Sequence, residues 1–108
     1  MSSAPKHPAA SNALEVLALS IKAGRKQRRW TREELAGRAG MNKETVTRIE
    51  RADPGVAIGR FFDAAALTGV TLYSPSQDEL ALERRRREHE LSLLPSRIDS
   101  PRAATNDF

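Results

Sequence analysis

Residues 30–51, which read WTREELAGRAGMNKETVTRIER, contain the start and stop signals of two consecutive short helices. Thr31 and Glu34 have the spacing of a capping box, and Asn42 is a favoured N-cap residue for a second helix. Gly40 lies between them and can adopt the positive φ that a tight turn needs. The stretch therefore predicts two helices joined by a short turn.

Apolar residues flank both caps. Trp30 and Leu35 are spaced as a hydrophobic staple around the first cap, and Met41 and Val46 have the same spacing around the second. Two short helices joined by a glycine-containing turn form a helix-turn-helix motif, and residues 30–51 predict one.

The second helix divides into an apolar face and a polar face. Val46 and Ile49 lie on one side, with Met41 below them. A DNA recognition helix needs this division, because one face packs and the other reaches base edges. The alternative is an ordinary amphipathic helical hairpin with a solvated face, and periodicity alone does not separate the two. The polar side carries Lys43, Glu44, Thr47, Arg48 and Arg51.

Positive charge is concentrated in and just before this stretch. Residues 22–51 contain ten basic and four acidic side chains, an excess of six (10 − 4), whereas the whole chain has a net charge of +4. The remainder is therefore net acidic. This concentration favours a phosphate-bearing partner, since a generic solvated surface would mix the two signs.

The residues before the stretch predict a flexible arm and one helix. Residues 1–11 are rich in Ser, Ala and Pro, which predicts a disordered arm. Asn12 and Glu15 have capping-box spacing, so we expect a first helix from residue 12 to about Gln27. Its apolar stripe consists of Leu14, Leu17, Ala18 and Ile21.

The residues after the stretch predict two more helices. The first covers about residues 57–67, with Gly69 suited to end it and with an apolar stripe of Ile58, Phe61, Phe62 and Ala65. The second starts within residues 74–79 and ends before Pro95, and residues 95–108 predict a flexible tail. Leucines 80, 82, 91, 93 and 94 flank its charged middle and could pack on a second subunit or another protein; a solvated helix with frayed ends is the alternative.

The sequence lacks the residues that several classes of function require. The chain has no cysteine, and His7 and His89 stand far apart, so we expect no metal, no cofactor and no catalytic residue, and not an enzyme. No apolar run is long enough to span a membrane, and no signal-peptide core is present. We expect a cytoplasmic protein, associated with a bacterial nucleoid if it binds DNA.

Residues 17–72 resemble the phage-repressor/Cro type of helix-turn-helix domain, also called the XRE family. The matching motifs are Leu17…Ile21, Arg25, Trp30-Thr31-Arg32-x-x-Leu35-Ala36, Gly40-Met41-Asn42 and Val46-x-x-Ile49-Glu50-Arg51-Ala52. The resemblance implies an all-α, five-helix fold, with a phage-repressor-like helix-turn-helix domain over residues 12–74 that holds the first four helices. A C-terminal helix over residues 75–94 and the tail would follow it.

The resemblance also implies a transcriptional repressor that binds double-stranded DNA as a homodimer on a palindromic operator. The side chains expected to read bases are Asn42, Lys43, Glu44, Thr47 and Arg48. Those expected to contact the DNA backbone are Arg28, Arg29, Arg32 and Arg51.

Three positions depart from the family pattern. Arg32 stands where Gln is usual, which should keep a phosphate contact but alter base contacts. Ala52 replaces the usual Gly after the recognition helix, so the turn there is expected to differ. Ala57 stands where a Ser cap is common, which predicts a weak start to the fourth helix.

Two short segments are similar to HipB-type antitoxins, residues 50–56 and residues 94–98. Such antitoxins repress their own operon and bind a HipA-type kinase toxin, so the similarity implies the antitoxin of a type II toxin–antitoxin pair. The alternatives are a stand-alone phage-type regulator without a toxin, and a protein-interaction module that has lost DNA binding.

Overall fold

The computed structural model describes residues 4–73 and 76–99, and the rest of the predicted arm and tail lies outside this range. The all-α class and the five α-helices are confirmed. The chain divides into two compact units after Leu72. The helices are α1 (Pro8–Gln27), α2 (Arg32–Ala39), α3 (Lys43–Glu50) and α4 (Ile58–Leu67) in the first unit, and α5 (Gln77–Ser92) in the second, where a 3-10 helix (Ser96–Asp99) follows it.

The predicted caps of α2 and α3 are present. The Thr31 hydroxyl accepts from the Glu34 amide at 3.0 Å, and the Glu34 carboxylate accepts from the Thr31 amide at 2.7 Å, which completes the capping box. Asn42 Oδ1 accepts from the Thr45 amide at 2.8 Å. Gly40 ends α2 with φ 68°. Local side-chain chemistry therefore fixes the lengths of both helices of the motif.

The predicted start of α1 at Asn12 is wrong. The helix begins at Pro8, and His7 is its N-cap, with Nδ1 accepting from the Ala9 amide at 3.1 Å. Proline is favoured in the first turn because its φ is already helical and its missing amide proton is not needed there. Residues 8–11, which the sequence placed in the disordered arm, form the first turn of α1.

The core draws on all four helices of the first unit. Its fully buried large side chains are Ile21, Leu35, Val46, Ile49 and Phe61. Leu14, Leu17, Trp30 and Met41 are half-buried and pack against them, as the apolar stripes and staples predict.

The predicted core position of Ile58 is wrong. Its side chain is 67% exposed, because it is the first residue of α4 and the buried face of that helix starts at Phe61. Phe62 is half-buried rather than buried.

The N-terminus of α4 lacks a side-chain cap, as predicted. Ala57 occupies the N-cap position with φ −58° and ψ 139°, and it offers no side-chain acceptor. We expect Ala57→Ser to raise the free energy of unfolding by about 1 kcal/mol, because the hydroxyl can accept a free amide of the first turn. Urea unfolding measures this gain. Ala57→Val is the control and should give none; an equal gain in both variants would contradict the capping explanation.

The second unit is dominated by the charged surface of α5. Ser76 caps the helix, and its hydroxyl accepts from the Glu79 amide at 3.1 Å. Every described side chain of α5 is exposed or half-buried. Glu83 accepts from both Arg86 and Arg87 at 2.8 Å, while Arg84 donates to Glu88 at 3.1 Å. Within residues 4–73 and 76–99, no helix has the length and apolarity needed to cross a membrane.

Candidate nucleic-acid interface

The polar face of α3 is solvent-accessible along its length. Lys43 and Glu44 in the first turn and Arg51 at the C-cap are exposed, while Thr47 and Arg48 are half-buried. The apolar face packs through Val46 and Ile49, both fully buried. This is the division into two faces that the sequence predicts for α3.

Two of the predicted base-reading side chains also hold the helix. Asn42 Oδ1 accepts from both the amide and the hydroxyl of Thr45, at 2.8 and 2.9 Å. The Thr47 hydroxyl donates to the Lys43 carbonyl at 3.1 Å. Lys43 and Glu44 extend from the helix start that Asn42 caps, so their backbone positions are fixed while their side chains reach solvent.

Three helices meet in one open basic pocket. Lys22 and Lys26 of α1, Arg32 at the start of α2 and Lys43 at the start of α3 line it, together with Arg25, Thr31 and Glu33. Two helix N-termini, which carry partial positive charge, therefore lie beside five lysine or arginine side chains of the pocket wall, against one acid, Glu33. This arrangement suits phosphate groups.

Lys22 was not predicted as a contact residue. Lys26 belongs with Arg25, Arg28 and Arg29 to a basic cluster in the last turns of α1, for which the sequence leaves open contact with the backbone of a duplex or compensation of the helix dipole and solubility. The basic cluster at the end of α1 is visible in the sequence, but its position beside the starts of α2 and α3 is set by helix packing. The sequence signal was the helical spacing of Lys22 and Lys26, which puts both on one side of α1.

A buried carboxylate ties the first three helices together. Glu50 is 8% exposed, and it accepts from Arg25 Nε at 2.6 Å, from Arg25 Nη2 at 3.1 Å and from Arg32 Nε at 3.1 Å. Arg25 also donates to the Trp30 carbonyl at 2.9 Å. Burial disfavours the charged form, but the hydrogen bonds from Arg25 and then Arg32 outweigh it and lower the pKa of Glu50 below its ordinary value.

Arg32 both binds Glu50 and lines the basic pocket. Its Nε is bound to Glu50, and its side chain is 38% exposed, so part of the guanidinium reaches the basic pocket. A phosphate contact by Arg32 stays a prediction, now with a fixed orientation for the side chain.

Arg28 makes contacts within the domain. Its Nη1 donates to the Thr68 carbonyl at 2.7 Å and to the Gly24 carbonyl at 3.3 Å, which ties the end of α1 to the end of α4. Arg29 follows with an exposed side chain and φ 59°, a left-handed conformation that non-glycine residues rarely adopt. Contacts of Arg28, Arg29 and Arg51 with the DNA backbone stay predictions.

Ala52, which replaces the usual glycine after α3, adopts the left-handed conformation that glycine favours, so the expected change in this turn is not seen. Ala52 has φ 58°, and its amide donates to the Ile49 carbonyl at 2.9 Å. An alanine in this left-handed conformation is strained by about 1–2 kcal/mol relative to glycine. The next residue, Asp53, accepts from Arg48 Nε at 2.7 Å and from the Gly55 amide at 2.8 Å. The ion pair between Arg48 and Asp53 was not predicted from the sequence.

A family model described as helix-turn-helix matches residues 21–74 of the chain. This range is half of the 108 residues. The chain therefore belongs to this helix-turn-helix family, the XRE type. The resemblance predicted from the sequence is confirmed.

A relative from Neisseria meningitidis serogroup B carries the name "Neisseria hypothetical transcription factor" and is 33% identical over 70 residues. The match covers 62% of this chain and 66% of the relative, so the chain spans just under two thirds of that protein's length. No solved structure shows a significant match to the chain.

Proposed function

We propose that this protein is a transcription regulator that binds a specific sequence of double-stranded DNA. In this proposal α3 lies in the major groove, and Asn42, Lys43, Glu44, Thr47 and Arg48 face base edges. The single observation that carries the proposal is the position of the α3 N-terminus beside the start of α2 and the basic side chains of α1.

The charges support binding to a duplex rather than to a neutral partner. Among the basic side chains, Lys22 and Lys26 of α1 and Lys43 of α3 line the pocket. Arg29, after the end of α1, and Arg51, after the end of α3, are also exposed. Phosphate contacts hold the protein on the duplex, and the polar face of α3 then reads the bases. The family membership and the name of the Neisseria relative, a hypothetical transcription factor, agree with this role.

The test begins with selection of a duplex from a random double-stranded library. Affinity for the selected duplex should fall roughly a hundredfold or more between about 50 and 200 mM salt, because several counterions are released on binding. Lys43→Ala combined with Arg48→Ala should remove most of the preference for the selected duplex over a scrambled one. Fluorescence anisotropy titrations measure both quantities.

A variant with the same loss of charge elsewhere is the control. Lys6 and Arg85 are exposed and lie outside the helix-turn-helix motif, so Lys6→Ala combined with Arg85→Ala should keep the preference. Failure of the selection to enrich any duplex would overturn the proposal. Equal loss in the two double variants would instead show that net charge alone accounts for binding.

We also propose that two copies bind a palindromic operator, with recognition helices about 34 Å apart. Exposed apolar side chains in the first unit support self-association: Val16 and Leu19 are 61% and 63% exposed, and Ile58 is 67% exposed. Sedimentation equilibrium of the full chain tests this, and a monomer at binding concentrations would contradict it.

The finer role that we propose is that of a HipB-like antitoxin that represses its own operon and binds a HipA-type kinase toxin. Four exposed leucines of the second unit support a protein partner: Leu82, Leu91, Leu93 and Leu94, at 49–71% exposure. Purification of the tagged chain from its native cells, with intact-mass analysis, tests this role. A stoichiometric kinase-sized partner supports it, whereas a homodimer alone supports a stand-alone regulator. Loss of DNA binding would favour a pure interaction module.

A further inference from the structure

We infer that Asp53 is a positioning residue for sequence recognition: its carboxylate holds the Arg48 guanidinium in the orientation that reads a base pair. The inference rests on the proposed function, because it assigns Arg48 a base contact. Asp53 itself touches no base in this scheme and acts through Arg48.

The geometry around Arg48 leaves one edge of its guanidinium available. Nε donates to Asp53 Oδ2 at 2.7 Å, so the opposite edge, formed by Nη1 and Nη2, is the one that can donate to a guanine. The side chain is 43% exposed, so a fixed guanidinium still reaches solvent. A long arginine side chain would otherwise lose rotamer freedom on binding, and prior fixation reduces this loss.

The turn holds Asp53 in place on its other oxygen. Asp53 Oδ1 accepts from the Gly55 amide at 2.8 Å, and the Asp53 amide donates to the Arg48 carbonyl at 3.0 Å. Gly55 also leaves room for the guanidinium, because a Cβ at this position would lie 3.0 Å from Arg48 Nη2. Backbone and side-chain contacts within residues 48–55 therefore orient Arg48 from two sides.

The charge of Asp53 has an opposite effect on total affinity. The negative charge of Asp53 repels the phosphates of a bound duplex, whatever its sequence. Removal of the carboxylate should therefore strengthen binding to any duplex while it weakens discrimination between sequences. A purely structural role for Asp53 would lower stability and both affinities together.

The experiment compares Asp53→Asn with the parent on the selected duplex and on a scrambled duplex at the same salt concentration. We expect the ratio of the two affinities to fall about tenfold and the affinity for the scrambled duplex to rise about threefold. Asp63→Asn is the matched control, because Asp63 is an exposed acid of α4 outside the turn, and it should leave the ratio unchanged. In an Arg48→Ala background, Asp53→Asn should no longer change the ratio.

Each outcome separates the two proposals. If a duplex is selected and Asp53→Asn discriminates as well as the parent, the positioning role is wrong while DNA recognition stands. If Asp53→Asn lowers the ratio equally in the Arg48→Ala background, Asp53 does not act through Arg48, and the inference is also wrong. If no duplex is selected, the proposed function fails, and the inference fails with it.

Discussion

Replacement of Glu50 by Gln should lower the free energy of unfolding by about 3–5 kcal/mol, because it leaves a buried arginine without its counter-charge. Arg25 is 8% exposed and donates twice to the Glu50 carboxylate. A neutral amide keeps the size of the side chain but can accept only through its oxygen. Urea unfolding followed by circular dichroism at pH 7 measures the loss.

Asp53→Asn is the matched control for this change, since it also converts a carboxylate bound to arginine into an amide. The Arg48–Asp53 pair is partly exposed, with side-chain exposures of 43% and 36%, so solvent already screens it. We expect this variant to unfold almost as the parent does. A similar loss in both variants would contradict the role assigned to burial.

The Glu50 carboxylate also makes the free energy of unfolding depend on pH. The pKa of Glu50 is lower in the folded chain than its ordinary value of 4.5, so its contribution to stability is complete above that value. The contribution is lost as the pH falls through the lowered pKa. As the pH falls from 4.5 to the lowered pKa, the free energy of unfolding should decrease more steeply for the parent than for Glu50→Gln. Urea unfolding at several pH values measures both curves, and parallel curves would contradict this role of Glu50.

Gly24→Ala should destabilise the domain by about 2 kcal/mol or more, although alanine favours a helix more than glycine does. Gly24 lies in α1, and a Cβ there would overlap the Thr68 carbonyl oxygen and stand 2.8 Å from the Thr68 Cβ. Since the first of these is a backbone atom, α1 and the end of α4 would have to separate. Arg28 would then lose its hydrogen bond to the same carbonyl.

Gly37→Ala is the control at a second glycine within a helix. Nothing lies within 4 Å of a Cβ at Gly37, so alanine should stabilise α2 by about 0.5–1 kcal/mol through lower chain entropy. Thermal unfolding of both variants measures the opposite signs. Stabilisation by Gly24→Ala would show that the close approach of α1 and α4 is not required.

Sequence alone predicts the parts of this fold that local chemistry determines. The caps at Thr31 and Asn42 and the turn at Gly40 depend on neighbours within a few residues, and all three are confirmed. The start of α1 was missed because residues 8–11 belong to a stretch rich in Ser, Ala and Pro, whose composition predicts disorder, and because Asn12 has capping-box spacing although it lies inside the helix.

The missed features of the candidate site depend on distant pairs. Glu50 meets Arg25 across 25 positions of sequence, and Arg28 meets Thr68 across 40. Counting charges therefore overestimates the cations that are free for phosphate, because several arginines are bound within the domain. Asp53 was overlooked for a different reason: the composition of residues 52–55, Ala-Asp-Pro-Gly, indicates only a turn, and the 2.7 Å contact is what connects Asp53 to Arg48.

The chain has a single tryptophan, and its surroundings give the protein an internal optical probe. The Trp30 indole is half-buried, with the Arg38 guanidinium 4.4 Å and the Arg28 guanidinium 5.8 Å from the ring centroid. Emission from such a ring responds to the loss of nearby cations and to entry of water. The fluorescence of unlabelled protein therefore reports on the junction of α1 and α2.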